Sequence, residues 1–127
     1  MIDLRIANHI HDKLIVEFGG SKGIRDLGGL EAALYRPHAT FDGNDLYPTA
    51  VEKASAIFES IIINHPFIDG NKRIAYVLMR LTLMENNFDI AASQEEKYKM
   101  TIAASKGEIG FDEIKQWLTE RIKKNNP

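Results

Sequence analysis

Apolar residues recur at helical spacing through most of the chain, and glycine or proline punctuates each run. Ile2, Ile6, Ile10, Leu14 and Phe18 stand four apart and predict one broad apolar face on a first helix. That helix is expected to stop at Gly19-Gly20, where a left-handed terminal residue is cheap. A glycine-rich turn from Gly23 to Gly29 leads into a short helix containing Leu30, Ala33 and Leu34, which Pro37 ends. Between His38 and Tyr47 the helical pattern lapses. Asp42-Gly43-Asn44, flanked by Phe41 and Leu46, predicts a short β-hairpin there. Pro48 then suits the first turn of a helix over about Thr49 to Asn64, with Ala54, Ile57, Phe58, Ile61 and Ile62 inward. A second strong helix is expected over about Asn71 to Asn86, with Ile74, Val77, Leu78, Leu81 and Met84 apolar. Ser93-Gln94-Glu95-Glu96 has the pattern of a capping box, with Lys106-Gly107 as the matching stop. The last helix is expected over about Asp112 to Lys124, burying Ile114, Trp117, Leu118 and Ile122. No repeat, low-complexity tract or linker interrupts this order. The pattern predicts an all-α fold, a single helical domain over residues 1–127 with about six helices and one short β-hairpin.

A chain of 127 residues makes one domain, which excludes a two-lobed kinase or a nucleotide domain with a separate substrate domain. With 44% apolar residues it can bury an ordinary core. Its 16 Lys and Arg stand against 18 Asp and Glu, a net charge of −2, which argues against direct binding of nucleic acid. The absence of cysteine excludes disulfides, thiolate metal sites and a cysteine nucleophile, and suits a reducing compartment. Met1-Ile2-Asp3-Leu4-Arg5 has neither the apolar run nor the small-residue site of a signal peptide. The longest apolar run, Ala75 to Met79, falls far short of the ~20 residues that cross a bilayer. A soluble cytoplasmic protein with no membrane partner is the expectation.

The stretch joining the two central helices carries the chemistry: His65-Pro66-Phe67-Ile68-Asp69-Gly70-Asn71-Lys72-Arg73. His65 leaves the preceding helix as an imidazole able to accept a proton near neutral pH. Pro66 fixes the turn, and Phe67 is the apolar residue able to pin the loop to the core. Asp69 supplies a hard oxygen of the kind Mg2+ prefers beside phosphates. Gly70 lets a ligand approach the backbone, and the amides of Asn71 to Arg73 open a helix, a natural anion site. Lys72 and Arg73 are cations in a first helical turn, where the helix dipole disfavours them unless an anion compensates. Each residue alone has an ordinary structural reading: His65 and Asp69 as caps, Lys72 and Arg73 as solvated charges. Together, in nine residues, a base, a carboxylate, a glycine, an amide and two cations point to chemistry on phosphates.

Here the chain resembles the Fic/Doc family, and within it the Doc (death-on-curing) branch of toxins. Residues 65–73 agree at every specified position with the family's pattern, His-x-Phe-x-Asp/Glu-Gly-Asn-Gly/Lys-Arg. Phe18-Gly19-Gly20, the segment from Gly23 through Leu34, Arg36-Pro37, Lys53-Ala54 and Asn86-Asn87 are similar to other parts of the family. The resemblance implies a nucleotide-using transferase acting on a hydroxyl of a target protein, with His65 as general base. It implies Asp69 as the Mg2+ ligand, Gly70, Asn71, Lys72 and Arg73 as the nucleotide and phosphate contacts, and Phe67 as the buried anchor. Two departures from the adenylylating pattern bear on what is transferred. Lys72 stands where that pattern has glycine, and Tyr76 stands where it has a second arginine. Lysine at the first position is the Doc variant, for which the resemblance implies a reversed nucleotide and transfer of the γ-phosphate of ATP. It further implies elongation factor Tu as target, arrest of translation, and a cognate antitoxin as partner. The 38–47 hairpin corresponds to the family's flap, which aligns the target; Phe41 and Tyr47 are read equally as target contacts or as local packing.

Two other readings remain at this stage: adenylyl transfer on the same fold, and a non-catalytic module that binds a nucleotide or partner. Elsewhere the sequence offers less. His9 and His11, two apart on a helix, make a poor metal pair, and His38 has no evident partner. Gly19 to Gly23 lacks the spacing of a phosphate-binding Walker loop and reads as a turn. Arg80, seven residues past Arg73, shares its helix face and is read as a surface arginine that would otherwise extend the positive site.

Overall fold

The computed structural model describes residues 1–125. Helix α1 (Leu4–Phe18) starts where the Asp3 carboxylate accepts from the Ile6 amide, and Gly19 ends it with φ at +89°. Its buried row is Ala7, His11 and Ile15, with Leu4, Ile10 and Leu14 alongside, whereas Ile6 and Phe18 are exposed. The buried row is offset by one position from the expected one: Ile2 is buried and Ile10 and Leu14 lie half-buried at the edge of the core, while Ile6 and Phe18 face out. The true row carries a histidine in its middle.

Asp26 caps helix α2 (Leu27–Tyr35) at the Gly29 amide, and a 3-10 turn at Arg36–His38 holds Pro37. Strands β1 (Thr40–Phe41) and β2 (Asn44–Asp45) pair antiparallel, Thr40 opposite Asp45. Asp42 and Gly43 both take positive φ, 53° and 79°, as the twist-matched two-residue hairpin turn requires. Thr49 caps helix α3 (Ala50–Asn64), and helix α4 (Asn71–Met84) follows after six residues. Strand β3 (Phe88–Ile90), helix α5 (Gln94–Ser105, with the expected capping box at Ser93 and Glu96), helix α6 (Phe111–Thr119) and strand β4 (Ile122–Lys124) complete the order. The fold is mostly helical, with six α-helices and two small antiparallel strand pairs among the described residues.

Helices α3 and α4 form the central pair. Ile57, Phe58 and Ile61 of α3 and Ile74, Leu78 and Met79 of α4 are all buried in one cluster. Leu30 and Ala33 of α2, Met100 and Ala104 of α5, and Ile114 and Leu118 of α6 close over it. The expected final helix is too long. It ends at Thr119, and Ile122 lies opposite Ile90 in the β3–β4 pair. Ile122 has helical spacing from Leu118, but the chain turns back there, with the Arg121 amide on the Leu118 carbonyl at 2.9 Å. Cross-strand packing of two β-branched residues replaces another helical turn. The Arg121 guanidinium binds Glu96 at 2.7 Å and lies over the Trp117 ring, which is half-buried.

The β1–β2 hairpin is held at its base. Arg36 donates to the Tyr47 hydroxyl at 3.0 Å, to Glu59 at 2.8 Å and to the Ser60 hydroxyl at 3.0 Å. Lys53 donates to the Pro37 carbonyl at 3.1 Å and lies 3.6 Å from Asp45. Tyr47 therefore serves local packing, tilted against Phe111, while Phe41 at the hairpin tip is 74% exposed. Among the described residues no helix is long and apolar enough to cross a membrane.

Arg80 does not extend the positive end of α4. It grips both oxygens of Asp89 on β3, at 2.8 and 3.0 Å. These bonds hold the Asp89 carboxyl down to about 2. A carboxyl depressed in the folded state stabilises above its ordinary range near ~3.9, and that contribution is lost as pH falls toward the folded value. Arg80→Gln is expected to return Asp89 to the ordinary range in an NMR titration. Arg80 is half-exposed, so the loss of stability at neutral pH should stay below about 1 kcal/mol in urea unfolding.

Candidate functional site: the loop between the central helices

Helix α3 ends on His65, whose φ of 46° and ψ of 56° are left-handed. The two carbonyls at this end, of Asn64 and His65, accept from Arg25 through Nη2 at 2.6 Å and Nε at 2.7 Å. A guanidinium fork thus caps the negative end of the helix. The segment around Arg25 then runs along the loop as a short edge. The Arg25 and Asp26 amides donate to the Pro66 carbonyl at 2.8 and 3.0 Å, and the Ile68 amide donates to the Gly23 carbonyl at 3.0 Å. Ile24 lies opposite Phe67 in an isolated bridge. The His65 side chain is exposed.

Phe67 is fully buried and stacks on His11, with ring centroids 3.9 Å apart and planes 7° apart. The side chain of Asn71 closes the loop from the other end. Its Oδ1 accepts from the Phe67 amide at 2.9 Å, and its Nδ2 donates to the Phe67 carbonyl at 3.0 Å. Both ends of that amide are engaged with the loop, so toward an anion Asn71 presents its main-chain N–H.

Helix α4 opens without a side-chain cap. Gly70 is its N-cap at φ 72°, a conformation that favours glycine, and the first helical bond runs from the Ile74 amide to the Gly70 carbonyl. The amides of Asn71, Lys72 and Arg73 precede that bond and have no partner within the helix. Lys72 and Arg73 are exposed and form no ion pair among the described residues. The Arg73 guanidinium lies over the Phe18 ring at 4.1 Å, which brings the end of α1 to the start of α4. Main-chain donors and two cations without ion pairs thus meet at this corner, an arrangement suited to an anion.

Asp69 stands at its edge, exposed, with Oδ1 accepting from the Gly70 amide at 2.8 Å and Oδ2 from the Ser21 amide at 3.2 Å. A Cβ on Gly20 would come within 2.6 Å of Oδ2, so the glycine turn after α1 fits closely against the carboxylate. Each oxygen accepts one main-chain bond, and an ionised carboxylate has about four acceptor sites. Its remaining lone pairs fit a hard cation. Among the described residues no three His, Cys, Asp or Glu side chains gather to form a cage. Mg2+ usually takes one or two carboxylates and completes its shell with water and phosphate oxygens, so Asp69 and the adjoining anion corner suit it.

Tyr76 lies three residues past Arg73 on α4. Burial pushes its phenol up to about 12, and its hydroxyl finds no partner among the described residues. It is a neutral side chain at a position where a second arginine would add charge.

The loop therefore brings together every site residue expected from the sequence: His65, Phe67, Asp69, Gly70, Asn71, Lys72 and Arg73. Arg80 is kept out by Asp89. Three supports escape sequence reading: Arg25, His11 and the Gly20-Ser21 turn. Arg25 sits in a segment that resembles the family, yet no spacing rule links it to a helix end 40 residues away. His11 reads as one of an unpromising histidine pair until α1 is seen from its buried side. A base, a carboxylate and an anion cradle on one loop can hold a phosphorylated ligand beside a proton acceptor.

Comparison with known proteins places the chain in a family. The M. smegmatis protein named Toxin Doc (Mycolicibacterium smegmatis) is 43% identical over 77 residues, a stretch covering 61% of this chain and 59% of that protein. The chain thus spans less than two thirds of the relative's length. The model of the family described as Fic/DOC matches residues 1–83, which include the whole of the loop and of α3. This match takes in more than half of the chain, and the chain belongs to the Fic/DOC family.

Proposed function

We propose that this protein is the toxin of a toxin–antitoxin pair. In this reading it works in the cytoplasm, transferring the γ-phosphate of Mg2+-ATP to a hydroxyl of a translation factor, with elongation factor Tu the expected target. The observation that carries it is the opening of α4: free amides at Asn71, Lys72 and Arg73, with Lys72 unpaired in the second position. A lysine there suits a terminal phosphate as a point charge, and it crowds the place where a glycine would let phosphates lie on the backbone. The neutral, half-buried Tyr76 supports the same choice of phosphoryl over adenylyl transfer. The name of the M. smegmatis relative supports the toxin reading, and with it a cognate antitoxin as partner.

The chemistry follows from the residues. The α4 amides, Lys72 and Arg73 hold the phosphates. Asp69 would hold Mg2+, which when bound would supply charge neutralisation at the phosphates. As the target hydroxyl bonds to the γ-phosphorus, the bond to the ADP oxygen breaks, and His65 takes the hydroxyl proton. Phosphoryl transfer asks mainly for in-line placement and charge neutralisation. A rigid nine-residue segment can therefore supply it where a two-lobed kinase would not fit. The hairpin, pinned by Arg36 and Lys53 with Phe41 outward, offers the edge on which a target segment aligns.

Incubation with elongation factor Tu and ATP labelled separately at the α- and γ-phosphates tests the reading. Label from the γ position is expected on the target; label from the α position would instead establish adenylyl transfer. His65→Ala should lower transfer by roughly 10²–10⁴-fold and abolish growth arrest with the fold intact by circular dichroism. Full toxicity in that variant would favour a binding module without turnover. Lys72→Gly should cost phosphotransfer about tenfold or more, the worth of one charge-assisted contact; unchanged transfer would sink the role given to Lys72. Arg25→Met should destabilise the protein by about 1 kcal/mol through loss of the helix cap, read as a lower melting temperature.

A further inference from the structure

His11 is the one titratable side chain that is wholly buried among the described residues, and it belongs to no part of the chemistry above. Its Nε2 lies 2.7 Å from the main-chain oxygen of Asp69. A carbonyl oxygen only accepts, so Nε2 carries the proton and donates. Its Nδ1 is buried without a partner, and its ring lies flat on Phe67. A histidine used only to fill the core would be an odd choice, since an apolar ring of similar shape would strand no nitrogen. The bond to Asp69 is what an apolar ring could not supply.

That bond completes the hold on Asp69. Its carbonyl is held by His11, Oδ1 by the Gly70 amide and Oδ2 by the Ser21 amide, so the residue is fixed from three directions. Helix α1 provides the platform beneath: a Cβ on Gly70 would meet Ile15 at 3.3 Å and His11 Nε2 at 3.7 Å. We infer that His11 is a positioning residue that orients the Asp69 carboxylate toward a nucleotide-bound divalent cation through the Nε2–H bond to the Asp69 carbonyl. This rests on the reading of Asp69 as the metal ligand. His11 never touches the metal or the nucleotide; it acts through Asp69, as the outer partners of metal ligands commonly do.

The test compares calorimetric affinities for a non-hydrolysable ATP analogue with and without Mg2+, in the wild-type protein, His11→Phe and His11→Gln. In the wild type Mg2+ should tighten binding of the analogue. In His11→Phe, which keeps the stack on Phe67 but loses the donor, that tightening should shrink about tenfold, with metal-free affinity kept within about twofold. His11→Gln, which restores a donor, should recover most of the tightening. An unchanged tightening in His11→Phe would overturn the inference, as would equal loss with and without metal, the mark of a merely loosened loop. Absence of any tightening in the wild type would overturn the role of Asp69 and this inference together. Should His11→Phe fail to fold, the wild type still decides through the nitrogen NMR spectrum of His11. A ring protonated at Nε2 is expected, and one protonated only at Nδ1 would overturn the inference.

Discussion

The left-handed turn at His65 is the constraint on which the site depends. Asp42 and Asn87, the other non-glycine residues with positive φ among the described residues, carry short polar side chains suited to it. A histidine also enters this region more readily than most residues, yet the conformation still costs on the order of 1–2 kcal/mol. Two bonds from Arg25 to the carbonyls of Asn64 and His65 offset it, helped by the sign of the helix dipole at that end. Because α3 ends in this turn and not in another helical residue, the chain reverses within six residues and opens α4 beside it. The tight reversal puts His65 and the opening of α4 on one short loop.

Much of this was legible in the sequence, for identifiable reasons. The central helices follow from long apolar stripes, and the capping box at Ser93 from local bonds between near neighbours. The Asp42-Gly43 hairpin follows from backbone preference alone. What escaped reading depends on contacts between distant segments. Ile122 obeys helical spacing, and only its pairing with Ile90 makes it a strand. The buried face of α1 lies one position on from the expected row, because it runs through Ala7 and His11, which do not read as a stripe of large apolar residues. The residues of the loop stand out in the sequence as a group because they are contiguous, and the structure keeps them on one loop. The amide of Asn71 was not legible, because a side chain that bonds the main chain four residues back looks, in sequence, the same as one facing a ligand.

Charge shows the same division between whole and part. The chain is slightly acidic, and most of its ion pairs join oppositely charged residues across elements, as Arg36 with Glu59, Arg80 with Asp89 and Arg121 with Glu96 do. Lys72 and Arg73 stand outside that pairing, at a helix end that already carries partial positive charge. A surplus of like charge there would be unfavourable in an isolated helix. It is tolerable because Arg73 rests on the Phe18 ring and both side chains remain in water.

The restraints on the loop share a property. Arg25 binds the carbonyls of Asn64 and His65, and the 23–26 segment binds the carbonyl of Pro66 and the amide of Ile68. Asn71 binds both main-chain groups of Phe67, and His11 binds the carbonyl of Asp69. All of these grips close on main-chain atoms. The shape of the loop is thus separated from the side chains displayed at 65 and 72, whereas Asp69 also binds the Ser21 and Gly70 amides through its own carboxylate. Such a frame lets its outward chemistry be exchanged residue by residue, as if on a fixed mount, while the backbone path beneath stays the same.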